Sequence, residues 1–132
     1  MAYYLAKTDP DTYSIDDLER DGSTEWDGVR NPMAVAAIKR MKPGDNVLIY
    51  HSQADKAVVG MAEVVSEPRP DAKDDRSWVV DLKFVKRAKR PVTLKEIKES
   101  GEFADLALVR QGRLSTMEVP AAFWKWVEKR GF

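Results

Sequence analysis

Three strand-like runs follow one another through the middle of the chain, and no long helix separates them. Asn46–Ser52 and Ala57–Glu67 are rich in Val, Ile and Leu, and Trp78–Lys86 alternates. In the alternating run Trp78, Val80, Leu82 and Phe84 share one face, while Val79, Asp81, Lys83 and Val85 share the other. Nowhere is a strand followed at once by a glycine-rich turn and a long helix, as a doubly wound sheet would require. With an opening strand over Tyr3–Lys7 and a closing one over Arg113–Val119, the pattern predicts an α+β fold. Its sheet is mostly antiparallel and curved into an open barrel, with short helices packed around it.

The helices are marked by their caps. Ser14 followed by Ile15, Asp16 and Asp17 predicts a short helix to about Arg20, with acids in its first turn. Asn31-Pro32 starts a second, because Asn caps free amides and proline's missing N–H costs nothing at the first helical position. That helix runs Pro32–Met41, with Met33, Ala37, Ile38 and Met41 on one side, and Lys42-Pro43-Gly44-Asp45 stops it. Thr93-Leu94-Lys95-Glu96 is a capping box for a helix to about Ser100. Pro120 opens a last helix whose Phe123, Trp124, Trp126 and Val127 form an apolar arc. Glu67–Asp75 has two prolines and no apolar residue larger than alanine, so it is predicted to be a surface excursion between strands.

A length of 132 residues predicts one domain over 1–132. Without cysteine there is no disulfide, no thiolate metal site, no cysteine nucleophile and no zinc deaminase. One histidine excludes a site that needs two imidazoles. The seven glycines form neither a P-loop nor a dinucleotide fingerprint. A Ser-His-Asp triad would have to use His51, yet Ser52 points to the opposite strand face. No apolar run is long enough to span a bilayer, and Met1–Lys7 has no signal-peptide pattern. An intracellular protein is expected, cytoplasmic, or nuclear in a eukaryote. The 22 bases and 22 acids cancel, which by itself argues against a nucleic-acid partner. The cancellation hides a dipole: Met1–Asn31 has eight acids against three bases, and the remainder has 14 acids against 19 bases. Lys83, Lys86, Arg87, Lys89 and Arg90 fall in one short basic stretch, which is either a phosphate-binding strip or a solvated surface.

What the residues offer is binding chemistry. Trp26-Asp27-Gly28-Val29-Arg30-Asn31 brings an aromatic plane, a guanidinium and an amide to one turn beside a helix start. The competing reading is that Trp26 plugs the core and Arg30 pairs with an acid. Tyr50-His51-Ser52 ends a strand with three polar-tipped side chains, either at a pocket mouth or as a buried Tyr and a satisfied core His. Trp78 is a core residue by its parity, or a wall at the barrel mouth. Arg110-Gln111-Gly112-Arg113-Leu114-Ser115 suits phosphate or base-edge contacts, or is a plain surface loop.

These groups, in this order, resemble the EVE domain, a PUA-like module. The likeness runs through Tyr3–Pro10 with Lys7, Tyr13–Leu18, Trp26–Asn31, Met41–Asp45, Tyr50–Ser52, Val58–Gly60 and Leu108–Ser115. It implies a PUA-like pseudo-barrel, similar to YTH domains, and a non-catalytic reader of modified bases in DNA or RNA. Carried onto this sequence, the cleft involves Lys7, Trp26, Val29, Arg30, Asn31, Tyr50, His51, Ser52, Arg110, Arg113 and Ser115, with Trp78 as a second cage wall. The chain departs from the family pattern in two places. Tyr4 stands where many members have Trp, and Pro32–Ala36 replaces a Tyr-x-Ala-Arg-Asn stretch.

On this reading Trp26, with Trp78 or Tyr50, stacks on a modified base, and Arg30, Asn31 and Ser52 read its polar edge. Arg110 and Arg113, with Lys83, Lys86, Arg87, Lys89 and Arg90, contact phosphates. No cofactor or metal is expected. The expected partners are modified DNA or RNA and an effector such as a nuclease or RNA-modification enzyme, around a monomeric, membrane-free module. Two rivals stay open: a binder of a small anionic or nucleotide-like metabolite, and a hydrolase in which His51 activates water.

Overall fold

The computed structural model describes residues 2–53 and 55–132. The chain runs β1 (Tyr3–Thr8), α1 (Ile15–Asp21), β2 (Ser23–Trp26), α2 (Pro32–Arg40), β3 (Asn46–His51) and β4 (Ala57–Val64). It continues with β5 (Arg69–Asp71), β6 (Asp74–Thr93), α3 (Leu94–Ser100), α4 (Ala107–Arg110), β7 (Thr116–Val119) and α5 (Ala121–Gly131). The strand order is β2-β6-β4-β3-β1-β7, with β5 paired to β6. Every pairing is antiparallel except β1 with β3. This is the mixed, mostly antiparallel α+β architecture predicted. α2 packs against both β6 and the far edge strand β7. The hydrophobic core covers both faces of the sheet, since consecutive Leu48 and Ile49 are both buried, and it includes Leu5, Val80, Leu82, Ile38 and Phe123.

The caps act as their residue types require. Ser14 Oγ accepts the Asp17 N–H, and the Asp17 carboxylate accepts the Ser14 N–H, so α1 starts on a reciprocal box. Asn31 Oδ1 accepts the N–H groups of Met33 and Ala34 at 2.8 and 3.4 Å. Thr93 makes only half of its predicted box: it accepts the Glu96 N–H, but the Glu96 carboxylate turns to Arg90 in a two-pronged pair at 2.9 and 3.1 Å. Thr93 is still in strand register with Ala57, so β6 ends where α3 begins.

Four expectations are corrected. Arg69–Asp71 is not a free excursion but a short strand on β6, held by Arg69 donating to Glu25 and Asp81 at 2.7 and 3.0 Å. Its proline is tolerated because the strand lies at an edge. The run at Trp78–Lys86 extends over all of Asp74–Thr93, its ends disguised by exposed charge. Trp26 is not in a turn; it closes β2, opposite Val80, and the turn begins at Asp27. Met33 is 56% exposed, whereas Ala34, Val35, Ala37 and Ile38 form the buried stripe of α2.

Candidate functional site

A cavity of about 360 Å³ lies between the edge strand β2 and the end of β1. One side comes from the end of β1 and the following turn: Lys7, Thr8, Thr12 and Tyr13. The other comes from β2 and its turn: Thr24, Glu25, Trp26, Asp27, Gly28 and Val29, with Ser115 completing the rim. Gly28 sits at φ 76, a left-handed conformation that suits glycine and lets the chain turn sharply out of β2. Trp26 is 7% exposed and meets Tyr13 edge to face, their centroids 6.3 Å apart. The Tyr13 hydroxyl donates to Asp21 at 2.8 Å, and burial raises its pKa above the ordinary tyrosine value. Lys7 donates to the Gly112 carbonyl at 3.0 Å and lies 5.7 Å from the Tyr50 ring centroid. Burial lowers its pKa from the usual lysine range.

The structure brings Lys7, Trp26, Val29 and Ser115 to this cavity and leaves the other proposed residues outside its lining. Arg30 follows the wall residue Val29 but pairs with Asp74 at 2.6 Å. Asn31 is committed to capping α2. Tyr50 is buried behind Lys7, and burial pushes its hydroxyl up to about 12. Ser52 donates through both N–H and Oγ to the Thr8 carbonyl, at 2.9 and 3.3 Å. Trp78 lies beneath the Lys39 ammonium, 4.8 Å from its ring centroid, away from the cavity lining. Arg110, which ends α4, and Arg113, in the loop that Lys7 and Ser115 tie to β1, stand exposed, Arg110 3.4 Å from Asp105.

His51 is 7% exposed, and its Nε2 accepts the Ile15 N–H at 3.1 Å. An amide can only donate, so Nε2 carries no proton and Nδ1 holds it. The lone pair that a water-activating base would use is therefore the one that caps α1. Burial, the largest cause, lowers the imidazole pKa; Asp55 and Asp16 oppose the shift and Arg87 adds to it.

The basic stretch also lies outside the cavity lining. Arg87 pairs with Asp16 and Glu19 of α1, and Arg90 with Glu96. Lys86 lies over the Phe132 ring, while Lys83 and Lys89 are exposed further along β6. β2 meets β6 at Val80 beside Trp26 and at Lys83 beside Ser23, so the strip runs away from the mouth.

Sequence reasoning missed Thr8, Thr12, Tyr13 and Thr24 as lining residues. Tyr13 had a usable signal, since it stands just before the Ser14 cap and is therefore held at a helix entrance. The threonines had none: Thr8 ends β1, Thr12 lies in the turn after it and Thr24 in the short β2.

The lining combines two aromatic rings, five hydroxyl groups, one ammonium and the Glu25 and Asp27 carboxylates. A flat heterocycle with both donors and acceptors on its edge matches that set. A family model for the EVE domain matches residues 2–130. The chain belongs to the EVE domain family. Thymocyte nuclear protein 1 of Rattus norvegicus is 32% identical over 124 residues, 73% of this chain and 55% of that protein. The chain thus spans little more than half the length of that relative. The NMR structure of Rpa0253 from Rhodopseudomonas palustris is similar, with a TM-score of 0.93 at 39% identity, covering 99% of this chain and 93% of that one. Human THYN1, in complex with 5-methylcytosine-containing DNA, shares the fold at a TM-score of 0.90 and 23% identity, covering 98% and 97%.

Proposed function

We propose that this EVE domain is a non-enzymatic nucleic-acid-binding module that takes one modified base, extruded or single-stranded, into the Trp26–Tyr13 cavity. The observation that carries the reading is the lining: aromatic rings set edge to face, ringed by hydroxyls and one ammonium, in about 360 Å³. The human relative's complex with 5-methylcytosine DNA supports it. Trp26 offers apolar contact to the base, and Lys7, Thr24 and Asp27 supply a donor, a hydroxyl and an acceptor to its edge. Arg110 and Arg113 serve as the phosphate contacts, with Arg30 available if it leaves Asp74. A cytoplasmic setting, or a nuclear one in a eukaryote, goes with this reading, as does an effector protein that acts on the bound nucleic acid.

Burying one methyl group contributes about 0.8 kcal/mol, so modification alone gives about fourfold preference. The test is a binding panel of single-stranded and duplex oligonucleotides, with and without 5-methylcytosine, beside the free nucleoside. It is repeated on Trp26→Ala, whose fold is checked by circular dichroism. The expected result is preference for the modified strand and a loss in the variant, a stacked base being worth about 1–3 kcal/mol. Equal affinity across the panel would sink the reading. Tight binding of the nucleoside, with no gain from strand length, would replace it with the metabolite binder.

A further inference from the structure

Tyr13 belongs to no strand or helix, yet it forms one wall of the cavity. Its own N–H donates to the Asp9 carbonyl at 2.8 Å and its hydroxyl to Asp21, and two further hydrogen bonds tie its segment to the sheet. Thr8 Oγ1 donates to the Tyr13 carbonyl at 2.6 Å, and the Ile15 N–H, two residues on, donates to His51 Nε2 at 3.1 Å. Both holds come from one place in the sheet, because Thr8 stands opposite His51 in the parallel β1–β3 register. Ser52 secures Thr8 in turn, through the two hydrogen bonds to its carbonyl. Ile15 itself is buried against Gly60 of β4, where a side chain would strike it.

We propose that His51 is a positioning residue, which caps the first amide of α1 and thereby holds Tyr13 edge-on against Trp26. The consequence for ligand binding rests on the reading of the cavity as a base site. The Tyr50-His51-Ser52 segment then forms a clasp one layer behind the wall, and it touches no ligand.

The chemistry of the hold requires a neutral ring. Ser14 Oγ takes the Asp17 amide and the Ser14 carbonyl takes the Leu18 amide, so the Ile15 amide is left to the imidazole. The positive end of α1 and the burial of the ring both disfavour an imidazolium there. Three charged groups face it: Asp16 of α1, Asp55 of the β3–β4 turn and Arg87 of β6. Asp16 is itself paired with Arg87, which blunts its pull. A protonated Nε2 would present an N–H to the Ile15 N–H, and the hold would be lost.

Two variants and the free protein test this. His51→Leu keeps the bulk and removes the acceptor. His51→Gln keeps an acceptor oxygen of similar reach that does not titrate. The readouts are hydrogen exchange of the Ile15 amide, the nuclear Overhauser contact between the Tyr13 and Trp26 rings, and affinity for the 5-methylcytosine oligonucleotide across acid pH. In His51→Leu, Ile15 exchange should rise by about tenfold or more, the ring contact should weaken, and affinity should fall. In the wild type all three should change together as His51 is protonated, while His51→Gln should keep the hold and respond little to pH. Wild-type exchange and ring contact in His51→Leu would overturn the proposal, as would an unchanged pH response in His51→Gln. If His51→Leu does not fold, the acid titration of the wild type against His51→Gln decides on the same readouts. If the wild type binds no modified oligonucleotide, the base-site reading fails, and exchange and ring contact still decide the clasp.

Discussion

Gly60 is where the packing of α1 on the barrel is most exposed to a single atom. It lies in β4 between Ile49 of β3 and Arg87 of β6, beside a register break. A Cβ added there would strike Ile15 Cδ1, and it would sit 3.0 Å from Ile15 Cγ1 and 3.2 Å from the Lys86 carbonyl oxygen. The Ile15 tip must swing away at the expense of its rotamer, whereas the carbonyl oxygen needs to give by only a few tenths of an ångström. Overpacking of this kind costs about 1–3 kcal/mol, and the entropy gained by replacing a strand glycine returns about 0.5–1. Gly60→Ala should therefore lose about 1–2 kcal/mol in urea unfolding. Ile15→Val alone, which deletes the clashing methyl, should lose about 0.5–1.5 kcal/mol. Independent effects would sum in the double variant. The geometry instead predicts that Gly60→Ala/Ile15→Val is little worse than Ile15→Val alone, a coupling of about 1 kcal/mol. Affinity for the modified oligonucleotide should follow, because a displaced Ile15 drags its amide from His51 and shifts Tyr13. Strict additivity across the four proteins would refute the reasoning, for Ile15 would then not be what fills the space above Gly60.

Asn31→Ala should destabilise the protein by about 1 kcal/mol in the same assay, having lost the only side-chain cap of α2. Arg110→Gln and Arg113→Gln should each lower the slope of log affinity against log salt by about 0.7–0.9, as measured by titration at several ionic strengths. Arg87→Gln, whose guanidinium is held by α1 acids, should leave that slope unchanged. For stability against pH, the folded pKa of His51 lies below its ordinary 6.5, so the unfolded chain takes up the proton first. Its contribution is whole above that ordinary value and is lost as pH falls through the lowered folded value. Urea midpoints over acid pH should show this decline in the wild type and a smaller one in His51→Gln.

The fold was legible wherever a local signal and the tertiary demand agreed. Asn31-Pro32 and Ser14 predicted helix starts because capping is decided within four residues, and both caps form as expected. The antiparallel middle of the sheet was legible because Val, Ile and Leu are dense in β3 and β4. β2, β5 and the outer parts of β6 were not, because their pattern is set by partners distant in sequence. Ser23–Trp26 is a strand only because Thr24 and Glu25 meet Leu82 and Asp81 across a ladder. Arg69–Asp71 is one only because its arginine reaches Glu25 and Asp81. The length of β6 was hidden by Lys86–Arg90, whose charges look like a loop and are instead an exposed strand.

The site divides along the same line, between what a residue type allows and what its neighbours leave it free to do. Trp26 was legible from its residue type beside a tight turn and a helix start, whereas Lys7 was placed only by the family resemblance; both line the cavity. His51 stayed open between a pocket mouth and a satisfied core histidine, because a histidine's availability depends on its second partner, and the Ile15 amide lies thirty-six residues away. The same holds for charge. Arg87 and Arg90 count as cations in any sum over the sequence, yet each faces carboxylates that the sequence places far off or in the next helix. Arg110 ends α4 and Arg113 sits in the loop that Lys7 ties to the cavity rim, and Arg110 pairs with the almost fully exposed Asp105. A net charge of zero is therefore compatible with a phosphate-binding edge, because half of the eight acids of the N-terminal segment, Asp16, Asp17, Glu19 and Asp21, lie in α1 and pair with Arg20 or Arg87. Salt dependence should arise from the rim alone, and a small slope, on the order of two phosphate contacts, is what this distribution allows. A slope typical of a strongly basic binder would require the β6 arginines to leave their acids on binding.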